Sequence, residues 1–462
     1  MEKLLKENKM GTDKIPKVLF TLAVPIIISM LVQALYNIVD SIYVAQYNNV
    51  EGTAALTIAF PIQNLMIAVG AGLGVGMNAI LSRSLGQKNF DKANRTAGQG
   101  IFLNLVGYLL FLAFGLFFAD KFAFSQAHEN GVFNELLYNY AKDYISIISF
   151  GSICVFIQIT MERLLQSTGK SIYSMITQAS GAIVNIILDP IFIFGKLGVA
   201  EMGIKGAAIA TVIGQFVAAA LGIIFNITLN KEIKLKIKNT LPEKNLIKDI
   251  LIIGIPSVLM QAIGSVMTFS MNTILKGFGL SALNVFGIYF KLQSFVFMPI
   301  FGLTNGVIPI VSYNYGAEKP KRVFATIRLG AICSVSYMAL GLLAFQTIPE
   351  TLLGFFNANA EMVLIGKAAL RIISTSFVLA GFAIICSCVC QALGKSVYSL
   401  ILSICRQLGV LIPASYLLSL TGKVNLIWWS FPIAELVSLV LAFLFLLRVL
   451  KKAFPDSIVK VK

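Results

Sequence analysis

The sequence predicts an all-α polytopic membrane protein, with twelve transmembrane helices in two six-helix bundles related by pseudo-twofold symmetry along the membrane normal. Three observations carry that expectation: an apolar composition, an internal duplication and a one-sided distribution of basic residues. Of 462 residues, 57% are hydrophobic and only 13% are charged, with a mean hydropathy of +0.83. Such apolar runs exceed what a water-facing surface tolerates. The duplication is legible by eye. Leu165-Gln166-Ser167-Thr168-Gly169-Lys170-Ser171-Ile172-Tyr173-Ser174 returns as Cys390-Gln391-Ala392-Leu393-Gly394-Lys395-Ser396-Val397-Tyr398-Ser399. Upstream, Gly72-Leu73-Gly74-Val75-Gly76 returns as Gly302-Leu303-Thr304-Asn305-Gly306, and Gln63, Ser82 and Gly86 meet Gln293, Ser312 and Gly316.

Taken in chain order, residues 1–16 are lysine-rich and polar, and the apolar run after them is too long for the core of a cleavable leader. Six spans follow at about 17–43, 53–81, 97–119, 143–167, 171–195 and 206–230. A charged linker occupies 231–247. Six more spans lie at about 248–276, 281–313, 324–347, 367–392, 397–420 and 425–448, with the second half counted to 450 and a tail over 451–462. Each run reaches the roughly 20 residues that carry a helix across the hydrocarbon core. β-Barrel alternation is missing, so helices are the spanning form that satisfies their own backbone groups.

The basic residues orient the chain. With the N-terminus in the cytoplasm, 26 Lys and Arg fall on the cytoplasmic side and 8 outside, while Arg163, Lys291 and Arg406 stay within spans. That bias places both termini in the cytoplasm of a multi-pass protein of the plasma membrane. The net charge of +16 is then the positive-inside rule rather than a nucleic-acid footprint, since no soluble module concentrates it. Six spans per half return the chain to its starting side, so an N-lobe over 17–230 and a C-lobe over 248–450 enter with the same orientation. Two such bundles around a central cleft suit a secondary transporter that works by alternating access.

Several motifs carry no chemistry. Gly70-Ala71-Gly72-Leu73-Gly74-Val75-Gly76 lies inside a span with no strand before it, so close helix packing explains it better than a dinucleotide loop. The two Gly-Lys-Ser triplets lack the earlier glycine of a P-loop, having Leu164 and Val389 there. His128-Glu129 has Val132 where a zinc protease needs a second histidine. Cys154, Cys333, Cys386, Cys388, Cys390 and Cys405 all fall in spans and read as small apolar filler. No catalytic constellation emerges, so an enzyme is not expected, and no cofactor is implied.

Charges in hydrocarbon are costly and point to ion or substrate pathways. The acids are Asp40, Glu162, Asp189 and Glu435; the cations are Arg163, Lys291 and Arg406. Helical rise puts Asp40 ~34 Å from Lys17 and Asp189 ~28 Å from Lys170, a similar depth in the first half. Asn185 shares the helical face of Asp189. Two carboxylates and an amide at one level form a candidate cage for a proton or a small hard cation such as sodium. Glu162, Arg163, Lys291, Arg406 and Glu435 read as structural or secondary charges, with Arg406 a conceivable partner for Glu162.

Leu35-Tyr36-Asn37-Ile38-Val39-Asp40-Ser41-Ile42-Tyr43-Val44 and Val184-Asn185-Ile186-Ile187-Leu188-Asp189-Pro190-Ile191-Phe192 resemble the first-span and fifth-span signatures of MATE (multidrug and toxic compound extrusion) transporters. The resemblance covers 17–450 and is closest to the DinF-like branch that contains the MepA-type efflux pumps. It implies export of bulky organic cations driven by inward flow of protons or sodium, with Asp40, Asn185 and Asp189 as the coupling site. It also implies competitive exchange in which the first span bends or repacks around Pro25. The family's span-4 asparagine is replaced by Arg163, which leaves a sodium shell poorer, and no Asp or Glu occurs over 250–317 or 362–434. Neighbouring carboxylates that share a proton make the proton the expected coupling ion, with sodium the alternative. A cavity for the organic cation is expected among Tyr36, Phe60, Met66, Phe290, Phe295 and Met298, because aromatic faces suit such ligands. A flippase of lipid-linked oligosaccharides in the same superfamily is the competing reading; it would recruit Arg163, Lys291 and Arg406 for an anionic diphosphate. The partners expected are the lipid bilayer and small organic substrates, with the chain monomeric.

Overall fold

A computed structural model describes residues 8–47, 51–129, 132–356 and 359–455; the ends of the expected N-terminal segment and tail, 1–7 and 456–462, lie outside it. Among the described residues, ten helices are long and apolar enough to cross a membrane, and two bent pairs, each counted as one span, raise the number to twelve. The first repeat holds span 1 (Ile15–Tyr47), span 2 (Glu51–Gly86), span 3 (Phe90–Phe117), span 4 (Glu135–Phe150 with Ser152–Ser167), span 5 (Ser171–Phe194) and span 6 (Ile204–Thr228). The second repeat holds span 7 (Lys244–Lys276), span 8 (Leu280–Gly316), span 9 (Pro320–Thr347), span 10 (Ala360–Ser374 with Phe377–Ala392), span 11 (Ser396–Ser419) and span 12 (Val424–Ala453).

The duplication extends to shape. Spans 4 and 10 are both bent by 46°. Span 4 breaks at Gly151, where an added Cβ would meet Val212 Cγ2 at 2.4 Å, so the side-chain-free residue lets span 6 press against the bend. Outside each bent span an acid holds the span's lysine: Asp120–Lys142 in the first repeat and Glu350–Lys367 in the second, both at 2.6 Å. The Lys142 ammonium, assisted by the Tyr138 hydroxyl, holds the Asp120 carboxyl below the usual carboxylate range. Lys367 does the same for Glu350. A two-residue ribbon pairs His128–Glu129 with Val132–Phe133 in the connection before span 4.

Helix limits exceed the apolar runs at most ends. Spans 4 and 10 begin eight and seven residues earlier than hydropathy indicates, because amphipathic turns such as Glu135-Leu136-Leu137-Tyr138 cap on Asn134 and bury Leu137. Span 11 is not a regular helix: its backbone turns π-helical over Cys405–Leu411.

The chain divides into two compact units that cut across the repeats. One contains Ile28–Ser84 and Asn89–Leu251; the other contains residues 8–27, Leu85–Lys88 and the chain from Ile252 onward. Spans 1 and 7 are therefore each shared by both units. The first unit has a core around Phe111, Tyr144, Ile145 and Phe156. In the second, Phe286, Tyr289, Phe377 and Trp428 form an aromatic centre. Cys386, Cys388 and Cys390 are unpaired and buried, as filler should be.

Candidate cation site

Spans 5 and 6 supply the floor of the candidate site because glycines let them meet. A Cβ at Gly181 would lie 2.7 Å from the Gly214 carbonyl oxygen, and one at Gly214 would lie 2.6 Å from the Gly181 carbonyl oxygen. Small residues at such a crossing bring two backbones into contact. One turn on, the approach places Asn185 beside Thr211. The Asn185 Nδ2 donates to Asp189 Oδ1 at 3.2 Å and lies 3.4 Å from Thr211 Oγ1, whose hydroxyl donates to the Ala207 carbonyl at 3.0 Å. Asn185, Asp189 and Thr211 are all buried, Asp189 fully so.

Span 1 runs alongside span 5 through a succession of side chains at helical spacing. Gln178 donates to Gln33 at 2.8 Å, and Tyr43 and Tyr47 stack edge-on against Phe194. Between those contacts lie Tyr36 and Asp40, within electrostatic reach of Asp189. Tyr144 of span 4, 1% exposed, joins Asp40, Asp189 and Thr211 in the same neighbourhood. Glu162 of span 4 is close enough to Tyr36 for its charge to be felt there, and accepts from Gln158 at 3.0 Å.

Among the described residues, three oxygens in this nest have no donor: Asp40 Oδ1, Asn185 Oδ1 and Asp189 Oδ2. All are acceptors, and all are buried. Unsatisfied acceptors at hydrocarbon depth cost several kcal/mol each unless a cation, a proton or water meets them. The arrangement is therefore chemically ready to take positive charge.

Sequence reasoning brought Asp40, Asn185 and Asp189 together but missed Thr211 and Tyr144. Thr211 had a signal, since it stands three residues before Gly214 and so shares its face. Tyr144 had none. Arg406 does not pair with Glu162: it donates to Glu435 at 3.0 Å, linking spans 11 and 12 in the second unit. Helical rise along separate spans fixes depth but not azimuth, so it does not distinguish which acid faces Arg406. Arg163 donates to Gln166 on its own helix, with its stem against Gly74, and Lys291 lies over the Phe356 ring at 5.7 Å. Each of the three cations is thus engaged separately, not gathered into an anion site.

The expected cavity residues are scattered in environment. Met66 is buried and Phe60 is 64% exposed. Tyr36 and Met298 are half-buried, Phe295 is exposed and Phe290 packs on the aromatic centre of the second unit. Among the described residues no cluster of three His, Cys, Asp or Glu side chains forms a metal-ligating set.

Comparison with known proteins is consistent over nearly the full length. The family model described as MatE matches residues 25–191 and 256–417, one segment in each repeat. A multidrug export protein MepA of Staphylococcus haemolyticus is 30% identical over 427 residues, covering 92% of both chains. The MepA of Staphylococcus saprophyticus is 27% identical with the same coverage. Among solved structures, a MOP superfamily transporter from Pyrococcus furiosus superposes with a TM-score of 0.88 at 23% identity, covering 97% of this chain and 99% of that one. A Vibrio cholerae MATE transporter gives 0.88 at 20% identity, covering 96% and 98%.

Proposed function

The chain belongs to the MatE family of membrane transporters, and on that premise we propose that it is a secondary active exporter of small organic cations, working as a monomer by exchange with protons through the Asp40–Asn185–Asp189 site. Sodium is the alternative coupling ion. The observation that carries the reading is the set of three acceptor oxygens, on Asp40, Asn185 and Asp189, that lack a donor among the described residues. Relatives described as multidrug export proteins support the substrate class.

The mechanism follows from charge. With both carboxylates ionised, the site repels itself and favours an organic cation. An incoming proton lowers that charge, weakens the hold on the organic cation and favours its release outward. Tyr36 and Asp40 sit beyond Pro25 on span 1, so a change of charge there acts on a helix whose backbone ladder is already interrupted. The 26-to-8 basic bias orients this exchange, with both termini in the cytoplasm of the plasma membrane.

The test is transport in proteoliposomes under separately imposed gradients. In sodium-free vesicles, a pH gradient should move a fluorescent organic cation against the proton flow. Asp40→Asn and Asp189→Asn should abolish uphill movement while leaving insertion intact. Uphill transport by both aspartate variants would reject the site, and activity from sodium alone at equal pH would reverse the ion.

A further inference from the structure

Spans 1 and 7 each pass from one compact unit to the other, and each is preceded by a segment tied down by side chains of the opposite repeat. Before span 7, Gln99 of span 3 is 1% exposed. Its Nε2 donates to the carbonyls of Asn239 at 2.8 Å and Leu241 at 2.7 Å, and its Oε1 accepts from the Glu243 amide at 2.9 Å. Arg95 donates to both Glu243 oxygens at 3.1 Å. The Asn94 Oδ1 accepts from the Lys234 amide at 2.6 Å. A Cβ at Gly98 would sit 2.1 Å from the Asn239 carbonyl oxygen, so linker backbone lies directly on span 3. Beyond the linker, Ile250 packs with Leu73 and Leu103.

The second repeat has its own version. Asn314 of span 8 donates to the Met10 carbonyl at 3.0 Å. Arg322 of span 9 donates to the carbonyls of Met10 at 2.9 Å and Asp13 at 2.6 Å and to Asn314 Oδ1 at 3.0 Å. Lys319 reaches the Gly11 carbonyl at 3.0 Å. Further along span 1, Gly302 and Gly306 accept Ile27 and Ala23, with added Cβ atoms 2.7 Å from Ile27 Cγ1 and 3.0 Å from Ala23 Cα. Spans 1 and 7 each carry an internal proline, Pro25 and Pro256, close to the points where they pass from one unit to the other, Ile27/Ile28 and Leu251/Ile252.

We propose that Gln99 and Arg322 are positioning residues for transport: each clasps the segment before a proline-interrupted span to the opposite repeat, so that span 7 up to Leu251 travels with the first repeat and span 1 up to Ile27 with the second. The clasps stay closed throughout the cycle. Each joins one polar side chain to two or three backbone groups, so opening it gives up several hydrogen bonds at once, and Gln99, 1% exposed, would lose the partners of both its amide atoms. Movement is then taken up at the prolines, where each helix already lacks an i→i−4 bond. This goes beyond the coupling site and uses none of its residues.

The experiment uses the full-length chain with its native cysteines replaced. Ile233→Cys, buried at 3% exposure, reports the linker clasp by thiol labelling, and Met10→Cys, at 1%, reports the other. Gln99→Ala should raise Ile233→Cys labelling at least tenfold and cut transport by a similar factor. A disulfide between Asn94→Cys and Lys234→Cys, positions already joined side chain to backbone, should restore transport in the Gln99→Ala protein. Arg322→Ala should expose Met10→Cys in the same way. The inference is overturned if the disulfide blocks transport in an otherwise intact protein, since the clasp would then have to open. It is equally overturned if Gln99→Ala leaves labelling and transport unchanged. Labelling needs no transported substrate, so it tests the clasp even if the proposed export fails.

Discussion

Substitution of Gly214 by alanine isolates the helix crossing beneath the proposed cation site. The added methyl would lie 2.6 Å from the Gly181 carbonyl oxygen and 3.1 Å from Asn185 Cβ, whereas ordinary contact begins near 3.4 Å. Spans 5 and 6 must therefore part by roughly 0.8 Å at this level. The bond from Asn185 to Asp189 lies within span 5 and survives. The contact from Asn185 to Thr211 crosses between spans and already stands at 3.4 Å, so it is lost. Overpacking of this kind costs about 1–3 kcal/mol, and a displacement near 1 Å at a functional group can cost on the order of 100-fold in rate. We expect a lower thermal midpoint in detergent and transport reduced at least tenfold. Gly264→Ala in span 7 is the control: nothing lies within 4 Å of its added methyl, and loss of backbone freedom in the unfolded chain should leave stability equal or about 0.4–1 kcal/mol higher. A Gly214→Ala protein that melts and transports like the parent would refute the claim that this crossing positions Asn185 and Thr211.

Other consequences can be measured in parallel. Arg406→Gln leaves Glu435, only 12% exposed in its side chain, with an uncompensated charge and should cost up to about 3–5 kcal/mol, whereas Arg406→Met with Glu435→Met should recover most of it; denaturation midpoints of both variants decide this. Thr211→Ala removes a neutral neighbour of Asn185 without removing charge, so transport should weaken less than in Asp189→Asn, as initial rates under one gradient will show. Asp120 is exposed and its carboxyl is held low by Lys142, so the pair's small contribution is present above the unfolded-state aspartate value and lost as pH falls through the lower folded value. Asp120→Asn should therefore narrow the difference in melting temperature between neutral and strongly acidic pH. Single cysteines replacing Asn89 and Glu243 should label only after permeabilisation, and one replacing Lys423 should label in intact cells; labelling of Glu243→Cys from outside would reverse the orientation.

The order of amino acids alone was enough for the class of protein, the number of spans, the duplication and the acids of the first repeat. These features follow from one-dimensional physics: a bilayer demands runs of about 20 apolar residues, penalises each charge within them and sorts basic loops to one side. Asp40, Asn185 and Asp189 were visible because a charge in an apolar run stands out and because four residues make one helical turn. Azimuth and partnership emerged with the packing of the helices. That packing joined Arg406 to Glu435 instead of Glu162, set Thr211 and Tyr144 beside the candidate carboxylates, and fastened residues before spans 1 and 7 to the opposite repeat. Those outcomes depend on which helix faces are pressed together, and that choice is made by small residues at crossings such as Gly181 with Gly214 and Gly306 with Ala23. In an apolar run such glycines look alike; each acquires meaning from the neighbour whose backbone it admits.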